Sequence, residues 1–444
     1  MIPEQAKSEI IRKHAMGETW TAIRNWLEEE YGVKVHRTTI SRWHAKEVYS
    51  RPINEEEEIE IEVNLSEEDR IKLDKKVVTH KAEAKYFKKM YEKVLKENTR
   101  VDLIIETIRD YAPAFKSQAK IKYPKPKGKV KGKSPVTAIA PLTDTHVGDV
   151  VHADQMLGLN SYNIEIFNRR LYGWAEQVLN LTNFQRTHTE VTKLVIPMLG
   201  DMISGDIHDE LARTNADNNL GQMIRGANLI AQALMYLAPH YEEIKVPCVV
   251  GNHGRMTRKI PAKDKYLDWD YMLYQWVASF CRNQKNIKFE IPKSFAHIFE
   301  AVNRKFLILH GDSISGSGSL IGLNNSAAKL RGVLQYRKGL EEEVSRFNID
   351  SAAPIGYDFD TVMMGHFHRV DEIDIGTGEL FICGTMKGGD EYALNRLHLI
   401  SKPKQIITWW HPKYGYLSKN IIYLNRYDSS EEAFEDVLPE IWAS

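Results

Sequence analysis

The chain has 444 residues, with 60 basic and 60 acidic side chains and 43% hydrophobic residues. That length exceeds what one ordinary core fills, so two or three folded units are expected. A mean hydropathy of -0.42, no apolar run near 20 residues and a charged N-terminus without signal-peptide pattern exclude a membrane-spanning chain and predict a soluble, cytoplasmic protein with no membrane partner. The three cysteines, Cys248, Cys281 and Cys383, are too widely separated for a disulfide framework or a CxxC zinc site. Cys248 and Cys383 lie in apolar runs and read as small buried hydrophobes. Zero net charge is a mean over two opposed blocks: residues 55–69 hold nine acids and no base, and residues 116–133 hold eight lysines and no acid.

In chain order, residues 4–48 fit three short helices. Ile10, Ile11 and His14 form the stripe of the first, which Gly17 ends. Thr19 caps the second, carrying Trp20, Ile23, Trp26 and Leu27 up to Gly32. Thr38 or Thr39 opens the third, with Ile40 and Trp43 a turn apart. The segment GETWTAIRNWLEEEYGVKVHRTTISRWH resembles the helix-turn-helix of resolvases and transposases. The resemblance implies that Thr38, Thr39, Ser41, Arg42 and Lys46 face DNA while Ile40 and Trp43 pack inward. A three-helix protein-interaction module is the alternative, because residues 1–51 carry only nine bases against seven acids.

An acidic spacer and a charged helical pattern fill residues 51–115. The helical part begins at the capping sequence Ser66-Glu67-Glu68-Asp69 and ends at Pro113, and it is a candidate homo-oligomer interface. Residues 116–135 read as a flexible lysine linker, able to hold nucleic-acid backbone through counterion release or to act as a solvated tether.

From residue 136 to about 425 the texture changes. Apolar runs stop at polar, glycine-containing turns: VTAIAPLTDTH, KLVIPMLGD, IKVPCVVGNH, KFLILHGD and FDTVMMGHFH. Helical stretches such as 163–184 and 219–238 lie between them. Buried strands alternating with helices predict an α/β layered domain with its chemistry beyond the strands' C-terminal ends. Residues 426–444 read as a peripheral acidic tail.

Those strand ends present Asp144 and His146; Asp201; Asn252 and His253; His310; and His366 with His368. One His or Asp at a strand end is more often a loop hydrogen-bonder than a ligand. Five such ends together, flanked by glycines that let backbone turn beside an ion, point to a metal centre. The ordered series Asp144-x-His146, Gly200-Asp201, Gly251-Asn252-His253, His310 and Gly365-His366-x-His368 resembles the calcineurin-like metallophosphoesterases, the DNA-repair nucleases among them. The resemblance implies a sandwich of two β-sheets flanked by helices and two divalent ions. Asp144, His146, Asp201 and His368 would hold the first ion, and Asp201, Asn252, His310 and His366 the second, with Asp201 as bridge. It implies His253 as the proton donor to the leaving group. Two cations ~4 Å apart can stabilise both the attacking and the departing oxygen and acidify a shared water. The mixed donor set suits Mn2+ first, with Fe, Zn, Ni or Mg as alternatives.

Two positions depart from that pattern. Gly254 stands where relatives carry a carboxylate that orients the histidine, and Ser204 where a second aspartate is frequent. Arg213, Arg255 and Arg258 could grip substrate phosphates or be solvated surface charge. His208 reads equally as a loop histidine. The expectation is a metal-dependent DNA nuclease with a DNA-binding arm. The alternatives are a phosphatase or phosphodiesterase for nucleotides or phosphoproteins, and an inactive DNA-binding regulatory or packaging protein.

Overall fold

The computed structural model describes residues 20–35, 114–121, 135–314, 319–344, 358–376 and 378–436, with single positions at 3, 6, 7, 9, 10, 13, 39, 40 and 108. The chain divides into two compact units, Met1–Lys93 and Val94–Ser444.

In the first unit, helix α1 (Trp20–Tyr31) buries Ile23 and Leu27, one turn apart, against Ala6, Ile10 and Ile40, with Trp26, Tyr31 and Val35 at the edge. Gly32 ends the helix at φ +63°. Its N–H donates to Glu28 O and that of Val33 to Leu27 O, the paired closing bonds that a left-handed glycine permits. Thr39 is exposed and Ile40 buried. Thr38, Ser41, Arg42, Trp43 and Lys46 lie outside the described residues, as do the acidic run, Lys122 to Lys133 and, apart from Ile108, the charged helical pattern up to residue 111.

Among its described residues the second unit is built on eleven strands: β1 (Thr137–Ile139), β2 (Lys193–Val195), β3 (Glu243–Pro247), β4 (Ile287–Glu290), β5 (Ala296–Ala301), β6 (Arg304–Leu309), β7 (Thr361–Met364), β8 (Val370–Asp374), β9 (Glu379–Thr385), β10 (Lys404–His411) and β11 (Gly415–Tyr423). Their order is β4-β3-β2-β1-β10-β9-β7-β6-β5, with β11 on β10 and β8 on β9. β1 to β4 pair in parallel, as do β6, β7 and β9. Two sheets were expected. The strands form one curled sheet instead, because β9 and β10 share a short antiparallel ladder, Lys404 with Thr385 and Gln405 with Gly384. Gly384, at φ +97°, lies so close to β10 that a Cβ would stand 2.1 Å from Lys404 O, so a side chain there would break the join.

Side-chain alternation divides the core into layers. Ala138, Leu194, Ile196, Cys248, Val250 and Ile407 face the helices α2 (Ile164–Arg186), α4 (Asn219–Leu237) and α5 (Trp269–Phe280); the short α3 (Leu211–Thr214) lies in the loop before α4. Their neighbours Ile139, Val195, Val249 and Ile406 turn the other way, onto Phe306, Ile308, Met363, Phe381, Cys383 and Trp410 in the fold of the sheet. The outer face of β6, β7 and β9 (Leu307, Leu309, Val362, Met364, Leu380, Ile382) is covered by Leu323 of α6 (Leu320–Val344), edged by Leu330 and Leu334. All three cysteines are free and buried. No helix among the described residues is long and apolar enough to cross a membrane.

Both flanks of the domain are more firmly held than their composition suggests. Phe115 N–H donates to Phe280 O and Ile121 N–H to Pro239 O, while Gln284 Oε1 accepts from Ser117 Oγ and from the N–H of Gln118. Lys116 and Lys120 thus fall on a pinned stretch. The acidic tail, exposed or half-exposed as far as it is described, is tied to the domain by hydrogen bonds. Asp428 meets the fully buried Arg170 at 2.6 and 2.8 Å, and Asn168 of α2 exchanges two hydrogen bonds with the backbone of Phe434.

Trp410 is fully buried where the two halves of the sheet face each other, 4.8 Å from the ring of Phe306 and 5.2 Å from that of Tyr416. Trp410→Ala should cost about 3–5 kcal/mol, measured as a lowered urea midpoint. A midpoint equal to wild type would show that this interface is not a rigid core.

Candidate metal centre

The parallel pairing of β1, β2 and β3 continues past the strands as single bonds: Asp144 N–H to Gly200 O, His146 N–H to Asp201 O and Val249 N–H to Met198 O. These bonds carry three loops side by side to one point. From the other half of the sheet, His310 follows β6, and His366 and His368 follow β7. The halves are stitched at the site itself. His366 N–H donates to the Asp144 carboxylate at 3.1 Å. His310 Nδ1 lies 2.8 Å from Leu199 O; a carbonyl only accepts, so Nδ1 carries the proton and Nε2 faces inward.

All seven residues expected to hold metal converge. Asp144, His146 and His368 form one group and Asp201, His310 and His366 another, with the ligand atoms of each within 4.8 Å of one another. His368 Nε2 is 3.1 Å from Asp144 Oδ1 and 3.1 Å from His146 Nε2. His310 Nε2 is 3.0 Å from Asp201 Oδ2 and 3.1 Å from Asn252 Oδ1. Asp201 stands between the groups, its Oδ2 3.9 Å from His146 Nε2. Its other oxygen, Oδ1, accepts the N–H groups of Asn252 and His253, both at 2.8 Å. One carboxylate oxygen is thereby anchored and the other presented.

The backbone is strained where the ligands stand. Asp144, His146, Asp201, His366 and His368 all have φ between +42° and +65°, a region non-glycine residues seldom adopt and which clusters at functional sites. Glycine makes the close approach feasible. A Cβ on Gly251 would stand 2.1 Å from Asp201 Oδ1, and one on Gly365 2.2 Å from Asp144 Oδ2. Asp144, His146, Asp201 and His310 are each at most 1% exposed. Carboxylate, amide and imidazole donors aimed at shared points suit divalent ions of intermediate softness. The nearby ammonium of Lys387 is turned away, bonded to Asp149 at 2.8 Å and Asp390 at 2.6 Å.

Burial and the neighbouring charges set the proton inventory. Burial works against a charged His310, but the Asp201 carboxylate beside it prevails and raises its pKa to about 10. Burial and the charge of His310 push His366 down to about 4. Burial also lowers His146 and His253. Burial would lower Lys387, but Asp149 and Asp390 hold it charged and raise it.

His253 reaches the same centre, its ring at 4.6 Å from that of His146. Its Nδ1 lies 2.8 Å from Ser204 O. That carbonyl orients the ring and leaves Nε2 as its free nitrogen, which answers the departure at Gly254. The exposed His208 is 6.4 Å from His253, ring to ring. Arg255 spends its guanidinium on three backbone carbonyls of its own loop, those of Asn252, Thr257 and Arg258. It therefore shapes the ligand loop and is not free to grip phosphate. Arg213 and Arg258 are exposed and both converge on Asp209. Residues missed from the sequence include Lys387, Asp149, Asp268 and Asp270. The only local sign was Asp268-x-Asp270 ahead of an apolar run, which is a helix N-cap pattern.

No family model and no curated protein matches the chain. Among solved structures it is similar to a Vps29 complexed with Zn2+ from Entamoeba histolytica (11% identity, 65% of this chain and 99% of that one, TM-score 0.22). It is also similar to a conserved protein of Streptococcus pneumoniae TIGR4 described as a predicted phosphoesterase (9%, 65% and 99%, TM-score 0.25) and to an archaeal phosphodiesterase (10%, 65% and 99%, TM-score 0.26).

Because His310 keeps its proton to about pH 10, a cation must displace that proton to bind. Cation affinity should therefore rise with pH from about 6 to about 9, with proton release. Titration calorimetry of Mn2+ into metal-stripped protein, in buffers of different ionisation enthalpy, reads both quantities. His310→Ala should bind more weakly and release fewer protons. Affinity that does not vary with pH would remove His310 from the ligand set.

Proposed function

We propose that the chain is a two-cation-dependent phosphodiesterase that hydrolyses DNA, directed to it by its N-terminal segment. The observation that carries the hydrolytic reading is the convergence of seven donors, Asp144 and Asp201 among them, from five strand ends, with strained backbone at five of the seven. Asp144, His146, His368 and Asp201 would hold one cation, and Asp201, Asn252, His310 and His366 the other. Manganese is the first candidate. Bound there, two cations would neutralise phosphate charge and lower the pKa of a water.

The chain's own residues do the rest. Asp201 fixes the spacing of the two positions, because its Oδ1 is tied to the Asn252 loop. His253, oriented by the bond from Nδ1–H to Ser204 O, turns Nε2 to the centre and would serve the departing oxygen from its doubly protonated form. The exposed Arg213 and Arg258 would meet substrate phosphate. Support for a DNA substrate comes from the N-terminal unit, where α1 and Ile40 share a small core with Thr39 outward, and from the eight lysines of residues 116–133.

His253→Ala should slow hydrolysis of substrates with poor leaving groups by roughly a hundredfold. It should matter much less for a nitrophenyl phosphodiester, whose leaving group departs without a proton. Equal losses on both substrates would contradict the proton-donor role.

Deleting residues 1–50 should leave hydrolysis of that small phosphodiester unchanged, since every ligand lies beyond residue 143. It should raise the DNA concentration needed for cleavage. The direct test presents purified protein and Mn2+ with single-stranded, duplex and nicked DNA across a salt titration. If intact protein neither binds nor cuts DNA but hydrolyses nucleotides or phosphopeptides, the DNA reading falls and a small-substrate phosphoesterase replaces it.

A further inference from the structure

Two ligand loops are held from behind by a group the proposed chemistry does not use. Asp270, in the first turn of α5, is fully buried. Its Oδ1 accepts the N–H of Met202, the residue after Asp201, at 3.0 Å. Its Oδ2 accepts the N–H of Gly251, the residue before Asn252, also at 3.0 Å. Both N–H groups lie beyond the ends of β2 and β3, where the strand ladder no longer serves them, so this carboxylate is their acceptor. A third bond from the same turn, Trp269 N–H to Gly254 O at 2.7 Å, holds the far side of the Asn252-His253 loop.

Asp268 sets the turn. Its Oδ1 caps α5 by accepting the N–H of Asp270 at 2.8 Å, and the residue bridges to Arg255. That same oxygen occupies the space a side chain at 254 would need, because a Cβ there would stand 2.2 Å from it. The absence of a carboxylate at position 254 and the presence of one at 268 are thus a single packing arrangement. Carboxylates reach this loop from α5 instead of from the loop itself.

We propose that Asp270 is a positioning residue that sets the separation between Asp201 and Asn252, and through it the two cation positions, by clamping the β2 and β3 loops with its two oxygens; the inference rests on the two-cation reading above. A carboxylate in this place is selected by geometry. Two backbone donors arriving from different strands need two acceptor atoms on one rigid plane. Asparagine offers only one acceptor and sets an amide N–H against the second donor. Partners one layer behind metal ligands commonly govern affinity by about 10- to 100-fold.

The test is a titration of Co2+ into metal-stripped full-length protein, following visible absorption, with thermal unfolding of the same samples. Asp270→Asn should weaken Co2+ binding by about 10- to 100-fold and change the band shape. Val277→Ala, a truncation in the core of the same helix, should lower the melting temperature without changing affinity or spectrum. Should Asp270→Asn fail to fold, Gly254→Ala carries the same expectation, since its methyl displaces Asp268 and the turn with it. Wild-type affinity and spectrum in Asp270→Asn, or in Gly254→Ala where the first does not fold, overturn the inference alone. So does a loss of affinity in Val277→Ala matching that of the clamp variant. Wild-type protein that takes up no Co2+ overturns the two-cation reading itself, and this inference with it.

Discussion

The arrangement depends on how one carboxylate is seated. Asp201 must give one oxygen to two backbone N–H groups of the neighbouring loop and keep the other for the histidines. That requires β2 and β3 to end in register and their loops to touch without side chains between them. Gly200, at φ +90°, would place a Cβ 2.4 Å from the N of Gly251, and Gly251 would place one 2.1 Å from Asp201 Oδ1. An alanine at either position would push the loops apart. A buried carboxylate is unfavourable unless it is hydrogen-bonded and near positive charge. Burial pushes Asp201 up, but the charges of His310 and His253 and the hydrogen bond to His310 hold it well below the usual carboxylate range, while two backbone N–H groups satisfy its Oδ1.

The sheet's curl makes a second such contact. If its halves were separate, Asp144 on β1's loop and His366 on β7's loop would have no fixed distance. The β9–β10 ladder joins the halves, and the His366 N–H and His310 ring bond back across the seam. The aromatic packing of Phe306, Phe381 and Trp410 fills the fold between them. A tightly packed interior resists deformation, so left-handed backbone at five ligand positions can be sustained there.

Charge is distributed so that the ligand atoms are left free. Lys387 carries a positive charge within Coulombic reach of His146 and His253, yet its ammonium is fully engaged by Asp149 and Asp390. Arg170 is likewise consumed by Asp428 and the carbonyls of Met386 and Lys387. Arg255 is consumed by its own loop. These cations are spent within the fold, while the exposed Arg213 and Arg258 meet Asp209. Sequence reading treated all basic residues near a motif alike, because hydrogen-bond engagement has no local sequence signature.

What the sequence determined by itself was set by short-range rules. Apolar runs ending at glycine and a polar group mark parallel strands and the loops beyond them, so the α/β class and the five strand ends with their polar residues were legible. The helices at 164–186 and 219–237 followed from periodicity, and the end of α1 from Gly32. What only the tertiary structure decided depended on residues distant along the chain. The single curled sheet needs β9 to meet β10, two strands with no motif. His253 is oriented by Ser204 O, a backbone atom that carries no side-chain identity. The clamp at Asp270 belongs to a helix 68 positions from Met202, where the sequence displays only an N-cap. Chemistry is legible when residue type and spacing carry it; support is not, because backbone donors and acceptors are the same at every position and only folding chooses which of them meet.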